Sequence, residues 1–290
     1  MSNENPLNEL IKHAQAGLSD AGIDSARTEA ELLAAFALGI SRNELKQRLI
    51  FGSNISDDAA TTYQKLIAER ATRKPLQHIT GKAPFRYLEL NVGPGVFIPR
   101  PETELVAGAA ITWLNQLSQP IKVAVDLCTG SAAIAIAIAT ECPDTQVYAV
   151  ELNEPAITWA TQNINNNAPN SVRLIKADAR QALPQLAAQV DLVISNPPYL
   201  APGEVPPEAE VHAHDPATAL YGQGEDGLEI PRAIVVNAAK LLRPGGYLVM
   251  EHGDYQAQKL TAIMQQHGFD HVTSHQDLAG RDRFITAIRS

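Results

Sequence analysis

Leu7, Leu10, Ile11, Ala14 and Leu18 recur three or four residues apart, the spacing that lines one face of a helix. Ser25 is placed to cap a second helix carrying Ala30, Leu33, Ala34 and Ala37, which Gly39 closes. Ser41 and Glu44 form a capping-box pattern ahead of a short third helix. A fourth, over 56–72, sets Tyr63, Leu66, Ile67 and Arg70 along one side and stops before Pro75. The pattern then changes. Residues 85–92 have strand composition, and Gly93, Pro94, Gly95 and Pro99 punctuate the next stretch. This predicts a strand or hairpin linker, then a helix over 102–117 with Pro101 at its start.

From Lys122 onward short apolar runs alternate with helical segments. The runs are 123–127, 147–150, 172–175, 190–194 and 247–251, with helices near 133–140, 154–165 and 228–242. A further helix is expected near 180–186, and two more strand-like pieces, 270–274 and 284–288, end the chain. Such alternation predicts a mainly parallel sheet covered on both faces, an open α/β fold of Rossmann type. Ligands in such folds bind outside the carboxyl ends of the strands, where strand order reverses. The expected organisation is a helical domain over 1–83, a hairpin linker over 84–100 and the α/β domain over 101–290.

Composition narrows the classes. Of 290 residues, 45% are hydrophobic and 19% charged, too apolar a chain for dominant disorder. The most apolar run, Ala132–Ala139, is far short of the ~20 residues a bilayer requires. Residues 1–10 are polar and show no signal-peptide pattern. Cys128 and Cys142 suit a reducing cytoplasm better than a disulfide framework. No membrane partner is therefore expected, and the predicted location is cytoplasmic. Net charge is −9, unevenly spread: residues 1–100 hold 12 basic and 11 acidic side chains, residues 101–290 hold 11 and 21. An anionic partner would meet the first part more readily than the second.

The first strand of the α/β region runs into Cys128-Thr129-Gly130-Ser131-Ala132, a small-residue turn before a helix. That is a nucleotide-binding arrangement, though with one glycine in place of a full G-x-G-x-x-G, and an ordinary tight turn reads equally well. The second strand ends in Glu151, 21 residues after Gly130, where a carboxylate can accept hydrogen bonds from two ribose hydroxyls. Asp178 lies just past the third strand. It can accept from an adenine amino group or cap the segment after it.

The fourth strand enters Asn196-Pro197-Pro198-Tyr199, the most specific signal in the chain. Two prolines fix the turn and supply no backbone donors. Proline at 197 pushes Asn196 to extended geometry. The Asn196 side-chain oxygen and the Pro197 carbonyl then make two acceptors suited to a planar –NH2, and the Tyr199 ring offers a face to a cation such as a sulfonium. His252, at the end of the fifth strand, reads as a structural residue, as does His78 near the linker. His212 and His214 lie in an acidic, proline-containing stretch, 201–219, which reads as a mobile loop rather than a metal site.

Asn196–Tyr199 after a nucleoside-type site resembles class I S-adenosylmethionine-dependent methyltransferases that act on planar nitrogens. The block Phe97-Ile98-Pro99-Arg100-Pro101-Glu102-Thr103-Glu104, with 75–81 before it and Glu251-His252-Gly253 after, resembles the HemK/PrmC family over nearly the whole chain. The resemblance implies a class I methyltransferase domain, Rossmann-like, behind a small helical domain that recognises substrate, joined by a β-hairpin. It implies an enzyme that methylates the glutamine side-chain nitrogen of the Gly-Gly-Gln motif in peptide chain release factors. The implied cofactor is S-adenosyl-L-methionine, giving S-adenosyl-L-homocysteine. Its implied contacts are Cys128, Thr129, Gly130, Ser131, Ala132, Glu151, Asp178, Ala179 and Asn196. Asn196, Pro197, Pro198 and Tyr199 would hold the glutamine, with Asn196, Pro197 and Tyr199 catalytic and no metal. Three departures stand out: Cys128, Ala132, and Ala179 where many members carry an aromatic residue.

The same turn would serve an adenine-amino methyltransferase of nucleic acids, since adenine also presents a planar amino group. The acidic second part and the lack of a target-recognition domain disfavour it. A scaffold that has lost activity conflicts with the intact Asn196 turn, and a nicotinamide oxidoreductase with the incomplete glycine fingerprint.

Overall fold

The computed structural model describes residues 5–290; residues 1–4, part of the polar amino-terminal stretch, lie outside the described residues. In chain order the elements are β1 (Asn5–Pro6), α1 (Leu7–Asp20), α2 (Ala26–Leu38), α3 (Arg42–Ile50), β2 (Asn54–Ile55), α4 (Asp57–Ala71), α5 (Leu76–Thr80), β3 (Lys82–Phe85) and β4 (Leu88–Asn91). Then come α6 (Pro101–Gln116), β5 (Lys122–Leu127), α7 (Ala133–Glu141), β6 (Thr145–Glu151), α8 (Glu154–Asn167), β7 (Val172–Lys176) and β8 (Val190–Ser195). The chain closes with α9 (Ala209–His214), α10 (Ala217–Leu220), α11 (Glu229–Leu241), β9 (Leu242–Glu251), α12 (Ala257–Gln266), β10 (Phe269–Gln276) and β11 (Asp282–Arg289).

The chain divides into two compact units. One runs to Gly81 and also takes in Pro206–His214; the other comprises Lys82–Val205 and Asp215–Ser290. The first boundary thus falls at 81/82, where the hairpin β3–β4 starts, and residues 206–214, expected within the α/β region, group with the helical unit.

In the helical unit, Leu7, Ile11 and Leu18 of α1 pack with Ala30 and Leu33 of α2 and Tyr63 of α4. Ser41 and Glu44 form the capping box at the start of α3. Ser25 stands at the N-cap of α2 but makes no cap bond; its hydroxyl donates to Glu29 Oε1 at 2.7 Å. Glu29 is drawn inward by Arg70, which also reaches Glu210 of α9 at 2.9 Å, while Arg73 holds the other Glu210 oxygen at 2.7 Å. A buried Arg on the α4 face is therefore satisfied by acids from two distant segments, one of them in the stretch read as a mobile loop.

The second unit is built on a seven-stranded sheet of order β10-β11-β9-β8-β5-β6-β7. Strands β5 to β9 are parallel, and β11 pairs antiparallel with both β9 and β10. Successive side chains of a strand point to opposite faces. Accordingly Leu192 and Ile194 of β8 join one apolar layer with α6, α7 and α8, and Val193 joins the other with α11 and α12. With both faces covered, all six residues of β8 are buried. The helix expected near 180–186 is instead a turn and a short 3₁₀ segment, Pro184–Leu186. Pro184 lacks a backbone donor, and Leu183 before it is left-handed (φ 58°), so an α-helix cannot run through them.

Candidate active site

Strand order reverses between β5 and β8, which are adjacent and parallel, with Leu127 opposite Ser195. The next residues, Cys128 and Asn196, therefore leave the sheet side by side. The Ser195 hydroxyl donates to the Leu127 carbonyl at 2.6 Å and ties the two strand ends together.

The turn after β5 is left-handed at Cys128 (φ 64°), Gly130 (φ 57°) and Ala132 (φ 65°). Glycine adopts that geometry freely; a Cβ costs roughly 1–2 kcal/mol there. A Cβ built on Gly130 would meet no atom within 4 Å, so open space lies over the loop at that point. The Gly130 N–H donates to Glu151 Oε2 at 2.9 Å, and Glu151 Oε1 accepts from the Leu152 and Asn153 N–H groups at 2.9 Å each. Two carboxylate oxygens offer about four acceptor sites, so three backbone bonds leave room for a further donor.

Thr129 and Ser131 are buried. The Thr129 hydroxyl donates to Asp126, and the Ser131 carbonyl accepts from Asn163 at 3.0 Å. Both residues brace the loop from within. Asp126 is buried near the end of β5, and burial pushes its carboxyl up to about 7 against the opposing hydrogen bond from Thr129. Burial likewise raises the Cys128 thiol, which keeps it protonated.

Asp178 binds the Arg180 guanidinium and accepts the Arg180 backbone N–H at 2.9 Å. Its hydrogen bond to Arg180 holds its carboxyl below the usual range. These bonds close a local turn after β7. Ala179 is buried in the core, with its carbonyl accepting from Asn237 at 2.8 Å.

Pro197 and Pro198 are buried, while Asn196 and Tyr199 are half-buried. The Tyr199 and Leu200 N–H groups donate to the Leu220 carbonyl at 3.1 and 2.8 Å, and Gln256 Nε2 donates to the Tyr199 carbonyl at 2.8 Å. Two glycines press backbone to backbone against the turn. A Cβ on Gly222 would sit 1.8 Å from the Gly227 carbonyl oxygen and 2.7 Å from that of Pro198; one on Gly227 would sit 2.3 Å from the Tyr199 carbonyl oxygen. Behind the turn, Asn196 Nδ2 donates to Thr103 Oγ1 at 3.3 Å, and Thr103 Oγ1 donates to Glu251 Oε2 at 2.7 Å. Burial pushes Glu251 up to about 7, and it raises the Tyr199 phenol, which lies between Glu251 and Arg283. Burial lowers His252, whose Nδ1 bonds the Gly253 carbonyl at 2.7 Å at the end of β9.

Sequence reasoning missed Gly222, Gly227 and Gln256. The cluster Gly222-Gln223-Gly224-Glu225-Asp226-Gly227 carries a signal for the glycines, but nothing local marks Gln256. Residues 201–219 hold α9 and α10 rather than irregular loop, and Leu200 bridges to Tyr221.

A seven-stranded sheet with one reversed strand, a small-residue loop and an acidic strand end beside the order reversal define a class I methyltransferase. A 16S rRNA N2 G1207 methyltransferase of Thermus thermophilus shares the fold, with a TM-score of 0.54 at 20% identity over 72% of this chain and 50% of its own. Residues 9–81 match the PrmC N-terminal domain and residues 89–213 the methyltransferase small domain. A release factor glutamine methyltransferase of Streptomyces coelicolor is 46% identical over 97% of this chain and 97% of its own. A 4-amino-L-phenylalanine/4-methylamino-L-phenylalanine methyltransferase of Streptomyces pristinaespiralis is 35% identical over 98% and 95%. The chain belongs to the release factor glutamine methyltransferase family.

S-adenosylmethionine suits the residues present. The open space over Gly130 admits a ligand to the backbone, and the Glu151 carboxylate bonded to its N–H keeps acceptor capacity for one ribose hydroxyl.

Proposed function

We propose that this chain methylates the side-chain amide nitrogen of the glutamine in the Gly-Gly-Gln motif of a peptide chain release factor. The observation that carries the reading is the Asn196–Tyr199 turn at the strand-order reversal, which leaves β8 opposite the end of β5 that leads into the Gly130 loop. Bound S-adenosylmethionine supplies an electrophilic methyl group on a sulfonium. Gly130 and Glu151 orient the nucleoside; Cys128 and Ala132 shape the loop beneath it. Asp178 and Ala179 border the site from the end of the third parallel strand.

An amide nitrogen is a poor nucleophile because its lone pair is delocalised into the carbonyl. Asn196 Oδ1 and the Pro197 carbonyl accept its two N–H groups, turn the nitrogen toward the methyl and favour its growing positive charge. Pro198 fixes the turn, and the Tyr199 ring walls the site. Once methylated, the nitrogen releases its acidified proton to water, so the reaction requires no base from His252, which is buried with Nδ1 on the Gly253 carbonyl. The helical unit is proposed to recognise the protein substrate, in line with the near-neutral balance of residues 1–100 against the acidic remainder. The proposed setting is the cytoplasm; no described helix is long and apolar enough to cross a membrane.

A second reading rests on the S. pristinaespiralis relative, whose name specifies an aromatic amine. Both substrates present a planar –NH2 to the same acceptor pair. Incubation with labelled S-adenosylmethionine and either an intact release factor or 4-aminophenylalanine separates them. Methyl transfer to the motif glutamine, located by mass spectrometry, is the expected result; transfer to the small amine alone overturns the protein-substrate reading.

A further inference from the structure

A side-chain amide has two orientations of nearly equal shape, and only one turns the Asn196 oxygen toward a substrate N–H. What selects it lies behind the turn. The Thr103 hydroxyl has one hydrogen, and at 2.7 Å it is given to Glu251 Oε2. A hydroxyl so committed can only accept, and its partner at 3.3 Å is Asn196 Nδ2. The flipped amide would set the Asn196 oxygen against the oxygen of a hydroxyl with no hydrogen to offer. Thr103 and Glu251 are buried, so water does not compete for these bonds. The relay joins three elements distant in sequence: the first turn of α6, the end of β9 and the turn after β8.

We infer that Thr103 and Glu251 are positioning residues that fix the Asn196 amide with its oxygen toward the substrate nitrogen. The inference rests on the glutamine-methylation reading for its kinetic consequence but not for its geometry. The relay works while Glu251 is an acceptor-only carboxylate. A protonated Glu251 can donate to Thr103, freeing the Thr103 hydrogen for the Asn196 oxygen and permitting the flip. Burial lifts Glu251 to about 7. The groups facing it are Arg283 on β11, whose charge favours the carboxylate, Glu102 on α6, which opposes it, and the Tyr199 phenol.

Thr103→Val keeps the shape and removes the hydroxyl; Thr103→Ser restores it. Three readouts are taken on the full chain: turnover on a release factor against pH, S-adenosylmethionine affinity, and the nitrogen-15 resonances of the Asn196 side-chain amide, assigned by their loss in Asn196→Asp. Wild-type turnover is expected to fall as pH drops through about 7. Thr103→Val is expected to lose turnover by ~10- to 100-fold, the scale of misplacing a reacting group. It should keep cofactor affinity and lack the acid limb, with Thr103→Ser recovering most of the loss. The amide resonances should titrate in wild type and be displaced in Thr103→Val. Unchanged amide resonances together with wild-type turnover in Thr103→Val would overturn the inference. An inactive wild type with a titrating, Thr103-dependent amide would instead overturn the glutamine reading and leave the positioning role standing.

Discussion

Two turns leave adjacent strands at the same edge of the sheet, and they treat glycine in opposite ways. The Cys128–Ala132 turn has it at only one of three left-handed positions, Gly130, with Cys128 and Ala132 at the others. The Asn196–Tyr199 turn contains none, yet two glycines from elsewhere, Gly222 and Gly227, press against its carbonyls where any Cβ would collide. In the first turn glycine is a matter of backbone freedom, and alanine is tolerated at a modest cost. In the second it is a matter of space. The first can therefore drift in sequence and keep its path, while the second is set by residues over 20 positions downstream.

The largest expected effect breaks the second turn chemically. Asn196→Ala removes one acceptor and leaves a substrate N–H unpaired. Turnover on the glutamine substrate should fall by ~10²-fold or more, as on deleting one preorganised hydrogen-bonding group, while S-adenosylmethionine affinity falls less. Near wild-type turnover would end the proposed role of this turn.

Glu151→Ala strikes the first turn in return. It removes the acceptor for three backbone N–H groups and for the proposed ribose contact. Charged hydrogen bonds contribute about 1.5–3 kcal/mol each, so calorimetry should show cofactor affinity weakened about tenfold or more, with residual turnover at saturating cofactor. Unaltered affinity would remove Glu151 from the site.

Gly222→Ala tests space directly. With backbone atoms as the obstacle, the segment must shift, and overpacking typically costs about 1–3 kcal/mol. Thermal unfolding should show the loss, accompanied by reduced turnover. Ala132→Gly makes the opposite move at the first turn. Relief of the left-handed Cβ, offset by greater freedom of the unfolded chain, should leave a gain of about 0.5–1 kcal/mol, read as a Tm higher by about 1–4 °C. A lower Tm would mean that the buried Ala132 methyl contributes more by packing than its geometry costs.

The remaining test is of stability against pH. Asp126, behind the first turn, and Glu251, behind the second, both reach about 7 in the fold from ordinary values of 3.8 and 4.5. Between those limits the unfolded chain releases protons that the folded chain keeps, so these two groups make stability fall as pH rises. The fall should be complete above about 7. Glu251→Gln should flatten the slope of Tm over pH 5–8, and an unchanged slope would show that Glu251 does not titrate there.

Much of this molecule was legible in one dimension because its signals are local. Strand runs such as 192–194 are continuous and apolar since both faces of the sheet are covered, and the capping box at Ser41 needs only four residues. The motif at Asn196–Tyr199 was legible for a similar reason: prolines constrain their own backbone whatever surrounds them. Ser25 shows the limit. Its local pattern predicts a cap, but Glu29, held by Arg70 from 41 residues away, takes its hydroxyl.

The sequence alone determined the alternation of strands and helices from Lys122 to Ser195, the small-residue loop after β5 and the proline-fixed turn after β8, each written within a few neighbouring residues. Only the tertiary structure decided that Leu127 and Ser195 end side by side, that Gly222 and Gly227 support the turn, that Gln256 anchors its carbonyl, and that Thr103 and Glu251 orient its amide. Those are contacts between residues remote in the chain. Strand order and close packing bring them together, and no local propensity encodes either.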